Sequence, residues 1–165
     1  MRKDDIRVIV FAAVVCIICS LLLSVTAQAL KERQDQEVEF DRKKNVLKAF
    51  GVELVGADGA PISRAEVDNY FTVNISEIYI EKATGNVAEN PDPNIVRKER
   101  KERTHENRTL LPLYVWKDNG TATKYAFPTS GMGLWSIVNG YLALDRDLST
   151  VIGVTFYKHG ETPGL

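Results

Sequence analysis

Apolar positions along the chain follow three different patterns. The first is an unbroken run, Val8 to Ala29, VIVFAAVVCIICSLLLSVTAQA, that contains no charged residue. As a helix it would extend about 33 Å, the thickness of a bilayer's hydrocarbon core. Twelve of its residues are Val, Ile, Leu or Phe. At the usual gain per residue these favour membrane insertion by about 5 kcal/mol. A soluble core helix seldom runs so long without a charge, so the pattern predicts a retained transmembrane anchor. The competing reading is a cleaved signal peptide, for which Ala27-Gln28-Ala29 would be the small-x-small site. The apolar stretch from Val8 to Val25 is longer than such a peptide's core, which favours the anchor. Arg2, Lys3 and Arg7 at the start favour a cytoplasmic N-terminus, with everything after Leu30 outside.

The second pattern is helical. Leu30, Val38, Val46, Leu47 and Phe50 punctuate a charged segment at roughly helical spacing, and Gly51 is a candidate C-cap. Ser63 with Glu66 forms a capping-box signature that opens a short helix to about Phe71. The third pattern is β-rich. Asn74 to Lys82 reads as a strand of mixed period, and Gly85 to Asn94, with two prolines, reads as a loop. Leu110 to Trp116 and Thr121 to Phe127 flank Asn119-Gly120, whose tolerance of positive φ predicts a hairpin. Strands are also expected at Tyr141 to Leu144 and Val151 to Tyr157, the latter running towards the turn signal Pro163-Gly164. The expected fold class is α+β: a single transmembrane helix in residues 1–30, a connecting helix in 31–60, and an α+β domain in 61–165.

Composition removes several functions. The net charge of −1 argues against nucleic acid as the main partner. RKERKERTHENR, Arg97 to Arg108, interleaves acidic with basic residues and reads as a solvated helix face or loop. Cys16 and Cys19 both lie inside the apolar run, where they read as small packing residues, and no cysteine remains elsewhere to form a disulfide. His105 and His159 have no second histidine or cysteine nearby, so no metal site is expected. No nucleophile–histidine–acid spacing exists, and no catalytic residue is assigned. Gly131-x-Gly133 is not followed by a clear helix start, so it reads as a bulge or as backbone pressed against a flat ligand.

Gly131-Met132-Gly133-Leu134-Trp135-Ser136, Tyr141-Leu142-Ala143-Leu144 and His159-Gly160-Glu161-Thr162-Pro163-Gly164-Leu165 together resemble the FMN-binding domain of the C subunit of the Na+-translocating NADH:quinone oxidoreductase (Na+-NQR). Asn45 to Gly51, Glu66 to Phe71 and Leu111 to Trp116 are similar to the same protein, so the likeness covers nearly the whole chain. It implies an electron-relay component of a bacterial inner-membrane complex of six subunits, one that oxidises NADH, reduces ubiquinone and exports Na+. The implied cofactor is FMN, held outside the bilayer, and the implied partners are the other subunits and membrane lipid.

Carried over by position, the flavin-contacting residues would be Gly133, Leu134, Trp135, Glu161, Thr162, Gly164 and Leu165. The glycines would admit backbone to a flat ring, Leu134, Trp135 or Leu165 would pack on its face, and Glu161 or Thr162 would reach its polar rim. The family ties FMN through phosphate to a threonine in Ser-Gly-Ala-Thr, a motif found nowhere in these residues. The expectation is therefore a domain incomplete at its C-terminus that lacks the covalent attachment residue. A related ferredoxin- and NAD-coupled electron-transport protein, and a cofactor-free membrane scaffold, are the alternative readings.

Overall fold

The computed structural model describes residues 3–56, 59–101 and 108–161. The chain divides into two compact units, the first running to Glu39 and the second from Phe40 onward. One α-helix, α1 (Lys3–Ala49), contributes to both. Its apolar stretch is bare: Val8, Phe11 and Leu23 are about two-thirds exposed. By length and composition this helix is able to cross a membrane, and none of its most apolar window is buried.

In the second unit the last turns of α1 become core. Val46, Leu47 and Ala49 are completely buried. The helix stops at a Schellman motif, in which Gly51 N–H donates to Lys48 O and Val52 N–H to Leu47 O. Gly51 takes φ +81°, the left-handed conformation that a side chain would resist. The helix expected from the charged segment thus ends at Ala49, and residues 50–56 are turn and irregular structure. The capping box is present as read: Ser63 Oγ accepts from Glu66 N–H, and Glu66 Oε2 accepts from Ser63 N–H. It opens α2 (Arg64–Asn74), which buries Val67 and Phe71.

Five strands follow in a simple antiparallel meander: β1 (Ile75–Glu81), β2 (Leu110–Asp118), β3 (Thr121–Met132), β4 (Ile137–Asp145) and β5 (Val151–Lys158). Asn119 (φ 49°) and Gly120 (φ 80°) make the β2–β3 turn, as their residue types require. The registers Ile75↔Trp116, Tyr114↔Ala126 and Ala126↔Ala143 put these residues on one face of the sheet. That face meets the end of α1 and α2 in a single core with Phe50, Phe71 and Tyr141. Arg42 ties the helix to the sheet, donating to Glu77 Oε2 (3.1 Å) and Tyr114 Oη (2.9 Å).

Two expectations are corrected. Pro93 lies not in a loop but at the start of a helix, α3 (Pro93–Lys101), where proline's missing N–H costs nothing. Nor is the charged segment wholly solvated. Glu99 is 7% and Arg108 8% exposed, and Glu99 Oε1 accepts hydrogen bonds from the Thr109 N–H and hydroxyl. The helix buries Glu99 Oε1 where Thr109, just before β2, supplies donors that replace water.

Candidate functional site

β3 continues past its expected end to Met132, and the chain then turns sharply before β4 begins at Ile137. The turn closes with Gly133 N–H donating to Ser136 O at 2.8 Å. Its tip presents Leu134 and Trp135, each 75% exposed, beside Met132 at 82%. These three are apolar side chains with nothing over them.

The residues after β5 return to this turn. Glu161 stands 25 residues beyond Ser136, yet its carboxylate accepts from Trp135 N–H (3.1 and 3.2 Å to its two oxygens) and from Ser136 N–H (3.0 Å). The Ser136 hydroxyl completes the tie, lying 3.4 Å from Glu161 Oε1 and accepting from Gly160 N–H at 2.7 Å. Hydrogen bonds from Trp135 N–H and then Ser136 N–H hold the Glu161 carboxyl below its ordinary range, with a smaller contribution from His159. Such bonds favour the charged form.

Gly133 leaves room for the carboxylate. A Cβ there would overlap Glu161 Oε1 and lie 2.9 Å from Val138 Cγ2 and 3.0 Å from Ser136 O. The missing side chain therefore admits a protein carboxylate. In the strands, Tyr157 of β5 stacks on Tyr141 of β4 with centroids 5.0 Å apart, and Tyr141 meets Tyr114 edge-on at 5.7 Å. Burial pushes the Tyr141 hydroxyl far above its usual pKa and raises that of Tyr157 as well, so both stay neutral.

Of the residues carried over from the resemblance, Gly133, Leu134, Trp135 and Glu161 come together at this one place. Thr162, Gly164 and Leu165 lie outside the described residues. Sequence reading passed over Ser136 and Gly160 as site residues, although both stand within the motifs that carried the resemblance. Their pairing across 24 residues has no spacing signal. Among the described residues no three His, Cys, Asp or Glu side chains gather as metal ligands.

The two tied loops lie within residues 133–165, which match the family described as "FMN-binding domain". The C subunit of the Na+-translocating NADH-quinone reductase from Pseudomonas aeruginosa is 30% identical over 99% of the chain and 67% of its own length. Its Haemophilus ducreyi counterpart is 28% identical over the same shares. Among solved structures, NqrC of Shewanella oneidensis superposes with a TM-score of 0.57 at 27% identity, covering 74% of this chain and 60% of that one. The corresponding protein of Parabacteroides distasonis gives 0.59 at 25% identity, covering 82% and 61%. The chain belongs to the NqrC family, the C subunits of the Na+-translocating NADH-quinone reductase. It spans about two thirds of the length of the curated relatives it matches, and 61% of the Vibrio alginolyticus protein.

Proposed function

We propose that the chain serves as the electron-relay subunit of a sodium-translocating NADH:ubiquinone reductase and holds FMN against the tied loops. The observation that carries this reading is the convergence of the two family motifs, 25 residues apart, on one carboxylate. The residues present fit a flavin. Leu134 and Trp135 offer an uncovered apolar wall on backbone fixed from behind, which is what a flat aromatic ring with a polar rim requires. FMN, when bound, supplies the electron transfer that protein side chains cannot.

In this reading Leu134 and Trp135 pack on the ring, and the Glu161 segment fixes their position. Thr162, Gly164 and Leu165 continue the wall on the strength of the resemblance. NADH oxidation, quinone reduction and Na+ export fall to the other members of the complex of six subunits, so the chain is not catalytic alone. The basic start of the chain supports a single inner-membrane span with the domain in the periplasm. Residues 1–30 then act as the anchor, 31–60 as the connection, and 61–165 as the flavin-holding part.

Because no Ser-Gly-Ala-Thr occurs in these 165 residues, a polypeptide of this sequence is expected to bind FMN only noncovalently. Without a covalent tether the high effective concentration of the flavin at its pocket is lost. The test is expression of this polypeptide in membranes, with FMN titrated into the detergent-solubilised protein. Saturable quenching of flavin fluorescence, weakened by Trp135→Ala, is the expected result, together with no ultraviolet-fluorescent band after denaturing electrophoresis. Absence of saturable binding defeats the reading.

A further inference from the structure

We infer that Glu161 is a positioning residue rather than a flavin ligand: its ionised carboxylate locks the Leu134–Trp135 turn in place. That this turn is a wall of the flavin slot rests on the function proposed above; the lock itself does not. The carboxylate already accepts from two backbone N–H groups of the turn and lies beside the Ser136 hydroxyl. It also fills the space beside Gly133 that any side chain there would take. These contacts commit Oε1 to the turn, and Oε2 shares the Trp135 N–H with it. Ser136 closes the arrangement from the other side by accepting from Gly160 N–H, so the two loops move as one piece.

The lock depends on charge. Its donors favour the carboxylate, so Glu161 stays ionised at neutral pH and the lock is fully present there. It is released as pH falls below the group's ordinary 4.5 and through its depressed value. The basic residues beside it are Lys158 and His159 on its own segment, and His159 adds to the lowering of the Glu161 pKa. Met132 to Asn139 contain no titratable side chain.

The chain has only two tryptophans, so the difference between wild type and Trp135→Phe isolates the Trp135 emission. In the full chain in detergent micelles, we expect this emission to shift in wavelength and acrylamide quenching as pH drops below about 4.5, the ordinary carboxyl range. Far-UV circular dichroism should stay constant over the shift. Glu161→Gln keeps the shape but replaces one acceptor with a donor facing an N–H. It should show the low-pH emission at neutral pH, with no transition, and bind added FMN roughly tenfold more weakly, the effect of one lost charge-assisted contact. Gly133→Ala, which would displace the carboxylate, should match it, and the double variant should lose less than the two single losses added.

A Trp135 transition unchanged in Glu161→Gln overturns the lock. FMN affinity equal to wild type in that variant overturns its bearing on the flavin slot. Should wild type bind no FMN while the Trp135 transition vanishes in Glu161→Gln, the lock stands and the proposed function falls.

Discussion

At β5 a single hydrogen atom decides how closely the sheet approaches the end of α1. A Cβ on Gly153 would lie 2.6 Å from the carbonyl oxygen of Ala49, and backbone cannot yield as a flexible side chain does. Gly153→Ala is expected to destabilise the domain by about 1–3 kcal/mol, the usual penalty for overpacking, and urea denaturation followed by circular dichroism measures it. Asp147 acts at the same scale in the β4–β5 turn. The Thr150 hydroxyl first, then the Thr150 and Ser149 N–H groups, hold its carboxyl below the ordinary value. Its contribution is present above the ordinary carboxyl pKa and lost as pH falls through the depressed one. The stability difference between wild type and Asp147→Ala should therefore shrink towards zero on acidification; a constant difference would mean that the carboxylate's charge plays no part.

Elements owe their ends to local chemistry, and those ends were legible. The Schellman stop at Gly51, the Ser63–Glu66 box and the Asn119-Gly120 turn each depend on two or three neighbouring residues. Ser63→Ala should lower stability by about 1 kcal/mol, measured as a shift in the urea midpoint with unchanged slope. Element lengths were less legible. β3 runs on through Pro128 to Met132 because β4 pairs with it as far as Ile137, and a partner strand is invisible in local sequence. α3 was legible only in part: a helix face was one reading of Arg97 to Arg108, but its start at Pro93 fell in the expected loop, and the donors that bury Glu99 come from ten residues away.

The whole molecule couples an exposed apolar helix to an ordinary charged domain. Replacing Val15 and Ile18 together by arginine costs about 6 kcal/mol of insertion energy, which outweighs the roughly 5 kcal/mol that the apolar residues supply. The variant should move from the carbonate-resistant membrane fraction to the supernatant, whereas a single arginine should leave most of the chain in the membrane. A reporter fused after Leu165 that is active only in the periplasm should be active; an inactive fusion, with a cytoplasm-active reporter at the same position giving signal, would reverse the orientation.

Sequence by itself determined the apolar span, the helix caps, the hairpin and the family likeness, because each is written in neighbouring residues or in contiguous motifs. Only the tertiary structure decided that Gly133 and Glu161 meet. Read along the chain, the glycine made room for a ligand and the glutamate reached for it. Folded, the glycine makes room for the glutamate, because β4 and β5 run antiparallel and return residue 161 to the turn that residue 133 begins. Local chemistry sets which conformations a segment can take; the sheet alone sets which distant carboxylate fills the space.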